Sequence, residues 1–148
     1  MTASQTPRPV ILIVEDDPMI AELLQAQLGG ARYDAIWARS GEVALMRMRQ
    51  IKPALVLLDL GLPEMDGFEV LTELRRSAAF AKTPVIVLTA RHVAADVRRA
   101  LLLGASDYIA KPYDAAALLR RIARHLAPQA EAASAPSRFE QWTAAPRA

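Results

Sequence analysis

Three short runs of nearly unbroken aliphatic residues limit what this chain can fold into: Val10–Val14, 54–58 and 84–88. A strand exposed on one face alternates apolar and polar residues. A run that is apolar at every position belongs to a strand covered on both faces, as in a parallel sheet. The run 33–38 reads as a weaker strand and 107–110 as a short fifth. Between these runs the apolar residues switch to helical spacing. Ile20, Leu23, Leu24 and Leu28 fall at i, i+3, i+4 and i+8, with Asp17 as N-cap, Pro18 at the first helical position and Gly29 just past the end. Ser40 opens a second helix through Gln50, 67–76 form a third, 91–103 a fourth stopped by Gly104, and 114–126 a fifth. Five βα units predict an α/β doubly wound parallel sheet with right-handed crossovers, its site built from loops at the carboxyl ends of the strands.

Composition narrows the class further. The 148 residues carry 18 Lys and Arg against 16 Asp and Glu, a formal charge of +2, with 53% hydrophobic residues and no cysteine. Disulfides and cysteine-based zinc sites are excluded, and a chain of this length buries about 68–70% of its unfolded surface without such support. Near-balanced charge with scattered arginines predicts neither a nucleic-acid stripe nor a polybasic membrane tether. No apolar run approaches the ~20 residues of a membrane span, and 1–9 lack the apolar core of a signal peptide, so the expected location is cytoplasmic. The chain divides into a lead at 1–9, a folded domain at 10–127 and a flexible Ala/Pro-rich tail at 128–148. In that tail Phe139 and Trp142 are the large apolar residues.

Polar residues of an unusual kind follow four of the five runs. Glu15, Asp16 and Asp17 follow the first, Asp59 the third, Thr89 and Ala90 the fourth, and Lys111 and Pro112 the fifth. With strand order 2-1-3-4-5 these four strands are neighbours ~4.8 Å apart, and their ends converge on one pocket. The carboxylates of Asp16, Asp17 and Asp59 would repel one another there, a conflict that a hard divalent cation such as Mg²⁺ relieves. A single Asp after a strand is ordinarily a cap or turn residue; three, with Thr and Lys at matching ends, form a constellation. Lys111 offers a point charge and Thr89 a hydroxyl to phosphoryl oxygens. That leaves Asp59, on the central strand, as the nucleophile of an in-line phosphoryl transfer.

The segments 14–18 (Val-Glu-Asp-Asp-Pro) and 57–67 (Leu-Leu-Asp-Leu-Gly-Leu-Pro-Glu-Met-Asp-Gly), with Leu88-Thr89-Ala90 and 108–112 (Tyr-Ile-Ala-Lys-Pro), together resemble the receiver domain of bacterial two-component response regulators. The resemblance covers about residues 9–126. It implies a flavodoxin-like (βα)₅ sandwich with strand order 2-1-3-4-5. It also implies that Asp59 is the phosphoacceptor, that Asp16, Asp17, Asp59 and the carbonyl of Gly61 hold Mg²⁺, and that Thr89 and Lys111 bind phosphoryl oxygens. Tyr108 would be the switch aromatic, and the peptide between Lys111 and Pro112 would be cis.

The partners implied are a histidine kinase or histidine phosphotransfer protein as donor and a downstream protein that reads the face of the fourth helix, fifth strand and fifth helix. Direct nucleic-acid and membrane contact are not expected, and the chain is expected to be a monomer or a weak phosphorylation-dependent dimer. Leu102 and Ala117 fall where winged-helix members of the family carry charged dimer contacts, which puts that dimer mode in doubt; Asp107 and Arg121 can still pair, and Arg98 adds to a basic side. His92 and His125 lack a second ligand at metal spacing and are assigned to solvent or helix-end roles. The alternatives are a receiver fragment of a larger regulator or hybrid kinase, and a haloacid-dehalogenase-type phosphatase. The latter needs an acid two residues after its nucleophile, where this chain has Gly61. The chemistry expected is therefore autocatalytic phosphoryl acceptance and autodephosphorylation, without enzymatic turnover of an external substrate.

Overall fold

The fold is taken from a computed structural model that describes residues 7–91 and 93–134. Strands β1 (Val10–Val14), β2 (Asp34–Ala38), β3 (Leu55–Leu58), β4 (Val85–Thr89) and β5 (Asp107–Ala110) alternate with helices α1 (Pro18–Gly30), α2 (Gly41–Ile51), α3 (Gly67–Arg76), α4 (Ala94–Leu102) and α5 (Ala115–Ser134). All pairings are parallel, in the order β2-β1-β3-β4-β5. The flavodoxin-like architecture expected from the aliphatic runs is the one found.

The period-2 pleat explains why those runs had to be apolar throughout. Leu12, Val14, Val56, Leu58 and Val85 point to one side, where they pack with Ala44 and Met48 of α2 and Val70, Leu71 and Leu74 of α3. Their chain neighbours Ile11, Ile13, Leu55, Leu57, Ile86 and Leu88 point to the other, against Leu24 and Leu28 of α1 and Leu118 and Ile122 of α5. A third cluster joins Leu60, Phe68, Val87 and Ala100 under α4. Each buried Leu or Ile here stabilises the fold by roughly 1.5–3 kcal/mol relative to exposure.

Local signals place most helix starts. Asp17 accepts the Met19 amide, Ser40 the Val43 amide and Asp66 the Glu69 amide, each as N-cap. Several boundaries shift by one residue, and three helix ends differ from the sequence expectation for a physical reason. Helix α1 runs through Gly29 and closes on Ala31, whose amide bonds to Leu28 and Gly29 carbonyls. Helix α4 starts at Ala94 rather than Arg91: the Arg91 amide is held by the Thr89 hydroxyl at 3.2 Å and Val93 caps without a side-chain bond. Helix α5 continues past Leu126 to Ser134, because Ala130, Glu131, Ala132 and Ala133 are strong helix formers. The expected tail at 128–148 thus overlaps the end of α5, while Phe139 and Trp142 lie outside the described residues.

Candidate functional site

In this strand order the connections leave the sheet in opposite directions from β1 and β3, which opens a crevice at their carboxyl ends. The first residue past β3 is Asp59, 9% exposed, whose amide donates to the Val14 carbonyl at 3.0 Å. Its Oδ1 accepts the Gly61 amide at 3.0 Å and its Oδ2 lies 3.4 Å from Lys111 Nζ. The backbone behind it is confined by Gly67 at the start of α3. A Cβ there would stand 2.3 Å from the Asp59 carbonyl oxygen and 2.6 Å from Leu60 Cα, so only glycine lets α3 begin this close to the site.

Past β1 comes Glu15, 3% exposed, which the expected acid pair of Asp16 and Asp17 leaves out. Lys111 Nζ donates to Glu15 Oε2 at 2.5 Å, while Oε1 accepts the Asp17 amide at 3.2 Å. Oxygens of Glu15, Asp16 and Asp59 lie within 4.8 Å of one another. Asp17 is exposed and spends Oδ1 on capping α1, 2.9 Å from the Met19 amide. The expectation of Asp17 in the acidic pocket is corrected accordingly: the neighbours of Asp59 are Glu15 and Asp16. The helical signal was present in Pro18, since a residue before an N1 proline is the one that caps.

The titration behaviour follows from this crowding. Burial, then the charge of Asp59, push the Glu15 carboxyl above its ordinary 4.5 despite its bond to Lys111. Burial also works against the Lys111 ammonium, but the bond to Glu15 and the charge of Asp59 outweigh it and hold it above 10.5. The lysine is thus held in its charged form, while burial works against the charged form of Glu15. Hard carboxylate oxygens with no sulfur or imidazole suit magnesium, which takes one or two carboxylates and keeps waters. Asp16, exposed at the mouth of the crevice, and Asp59 fit such a role best, because Glu15 is the most deeply buried of the three and its Oε2 is held closely by Lys111, whereas Asp59 Oδ2 lies 3.4 Å from that ammonium.

The remaining expected residues sit around this centre. Thr89 ends β4, is 1% exposed, and its Oγ1 accepts the Arg91 amide at 3.2 Å; its carbonyl accepts the Lys111 amide at 2.9 Å. The Lys111–Pro112 peptide is cis. Tyr108 packs against Leu60, Phe68, Val87 and Ala100, with its hydroxyl buried and unpartnered among the described residues. Burial, with the charge of Asp96, raises its phenol above 10.

On the outer face Leu102 is 80% exposed, Arg98 is exposed and Ala117 half-buried. Asp107 accepts from Arg121 at 2.9 Å and Arg124 at 3.3 Å and lies 3.0 Å from His125 Nε2. His125 is therefore a half-buried partner of Asp107 rather than a solvent-facing residue, and His92 lies outside the described residues. Burial raises the Asp107 carboxyl, but the His125 and backbone bonds and the Arg121 charge outweigh it and hold the group below 3.8.

Comparison with known proteins decides the family. The family model of the response regulator receiver domain matches residues 11–123. The chain belongs to the response regulator receiver domain family. This receiver is 40% identical over 121 residues to the DNA-binding response regulator MtrA of Mycolicibacterium smegmatis, covering 82% of this chain and 52% of that protein. It is 40% identical over 114 residues to the regulator RpaA of Synechocystis, covering 77% and 47%. The chain spans about half the length of the curated relatives it matches. Among solved structures, the BeF₃-activated N-terminal receiver domain of Klebsiella pneumoniae RstA superposes with TM-score 0.75 at 37% identity, covering 79% of this chain and 97% of that one. The receiver domain of a Syntrophus aciditrophicus histidine kinase gives 0.76 at 35%, covering 81% and 91%. No helix among the described residues is long and apolar enough to cross a membrane.

Proposed function

We propose that this receiver accepts a phosphoryl group on Asp59 from a histidine kinase or histidine phosphotransfer protein and passes the signal to a protein partner. The observation that carries the reading is the meeting of Asp59 with Lys111, Glu15 and Asp16 at the mouth of the β1/β3 crevice. In the transfer the N–P bond of the donor phosphohistidine breaks as an Asp59 carboxylate oxygen bonds to phosphorus; the bonding pair stays on the ring nitrogen, and with a proton on the other ring nitrogen the imidazole leaves neutral. Asp16 and Asp59, with Glu15 beside them and the Gly61 carbonyl in the role the family implies, would hold Mg²⁺. When bound, the ion supplies positive charge against the phosphoryl oxygens. Lys111 offers a second positive charge, fixed in place by the Glu15 carboxylate. The Gly61 amide keeps the Asp59 carboxylate turned into the crevice.

Output follows from Thr89 and Tyr108. A phosphoryl group brings roughly −1.5 to −2 charges and three strong acceptors, so the Thr89 hydroxyl turns to donate to it and gives up the Arg91 amide. Leaving the Tyr108 hydroxyl buried and unpaired costs about 1–3 kcal/mol, so its inward position depends on packing alone. Movement of the β4–α4 segment alters that packing and thereby the face of α4, β5 and α5, where Leu101 and Leu102 are 49% and 80% exposed. The chain acts as a phosphoacceptor, with no turnover of stable esters, since Gly61 stands where a general acid would be needed. Acetyl phosphate with Mg²⁺ is the test: mass spectrometry is expected to find one phosphoryl group on the wild type and none on Asp59→Asn. Equal labelling of both proteins overturns the assignment.

A further inference from the structure

Trp37 lies on β2 opposite Ile13 of β1, and its indole Nε1–H donates to the backbone carbonyl of Glu15 at 2.6 Å. The Glu15 amide donates in turn to the Ala38 carbonyl at 3.1 Å. Strand β2 therefore grips Glu15 by both of its backbone polar groups, one residue beyond the last ladder pair of Val14 and Ala38. Trp37 is half-buried against the cluster shared by α1 and α5, a space that any large apolar side chain would fill. The indole N–H is the part of the residue that packing does not explain.

The carbonyl of Glu15 shares one rigid plane with the amide of Asp16. A bond to that oxygen restrains ψ of Glu15 and φ of Asp16, the two torsions that set how their side chains diverge. Glu15 has further anchors in Lys111 and the Asp17 amide, but Asp16 is exposed on a loop and takes its direction from the backbone. We infer that Trp37 is a positioning residue for the divalent cation: its N–H locks the 15–16 peptide so that the Asp16 carboxylate converges with Asp59 instead of turning to solvent. This rests on the reading of the acidic cluster as a Mg²⁺ site.

The chain has two tryptophans, so Trp142→Phe gives a parent in which Trp37 is the only indole. In that parent Trp37 is replaced by β-(benzothiophen-3-yl)alanine, which keeps the bicyclic shape and lacks the N–H, or by 5-fluorotryptophan, which keeps both. Mg²⁺ is titrated by the amide shifts of Asp16 and Asp17, and amide exchange at Asp16 is followed without metal. Losing the N–H is expected to weaken Mg²⁺ about two- to ten-fold and to speed Asp16 exchange, while 5-fluorotryptophan restores both to the parent values. Circular dichroism confirms that each protein is folded. Unchanged affinity and exchange in the benzothiophene protein overturn the role of Trp37. A parent that shows no Mg²⁺ response overturns the metal reading itself, and the inference with it.

Discussion

Glu15 carries the conflict on which the site is built. It is nearly inaccessible, faces Asp59, and has one half-buried ammonium to share with it. Its carboxyl is held above 4.5, so the folded state favours the neutral form, and the ionised residue costs stability at every pH above its folded value. As pH falls through that value toward 4.5 the cost is relieved. Glu15→Gln, which keeps an oxygen for Lys111, is therefore expected to unfold at higher urea than the wild type at about pH 7, with the difference narrowing as pH falls toward 4.5. A gap that stays constant, or a variant weaker at neutral pH, rejects this account. The sequence placed Asp59, Thr89 and Lys111 at one edge of the sheet because each closes or follows a strand whose burial was legible. It gave Asp17 two roles, the N-cap before Pro18 and a place in the acidic pocket, and passed over Glu15, because the cap reading was not used to exclude Asp17 from the pocket. Nor did it show the Trp37 donor bond, which depends on the register of β2 against β1.

Helix α4 is the element most loosely specified by its own residues. It has nine residues, a single fully buried side chain, Ala100, and no side-chain cap at Val93. What holds it to α3 is Phe68, 1% exposed, with the Arg99 guanidinium carbon 4.1 Å and that of Arg91 5.4 Å from the ring centroid. Arg91 also reaches Asp96 at 3.4 Å, so one side chain ties the β4–α4 segment to both helices. Arg99→Ala is expected to cost about 0.5–1 kcal/mol at this exposed site, with faster amide exchange in Ala94–Leu102 and little change in α3. A uniform change across both helices assigns Arg99 to general stability instead. The start of α4 was illegible because periodicity continues back to Arg91, while the Thr89 hydroxyl captures that amide. The end of α5 was illegible for the opposite reason: proline and alanine suggested a tail, and alanine propensity carried the helix on to Ser134.

At the scale of the whole molecule, if the acidic cluster holds a cation as proposed, the bound ion stabilises the folded chain. Two well-packed faces supply the stability that tolerates Glu15, Asp16 and Asp59 within 4.8 Å of one another. A ligand that binds only the folded chain adds about 2.7 kcal/mol at 100 times its dissociation constant. For a domain of this size each kcal/mol moves Tm by roughly 2–8 °C, so saturating Mg²⁺ is expected to raise Tm by roughly 5–20 °C. The acidic variants divide this effect in a way that simple ionic strength does not. Asp16→Asn removes an exposed donor and should lose most of the Mg²⁺ increment with little change in the metal-free Tm. Glu15→Gln should begin from a higher Tm and gain less. Potassium chloride at matched ionic strength screens all three carboxylates without choosing among them. If it reproduces the Mg²⁺ increment in the wild type, or if Asp16→Asn keeps the full increment, the cluster is only an acidic surface and the crevice is not a cation site.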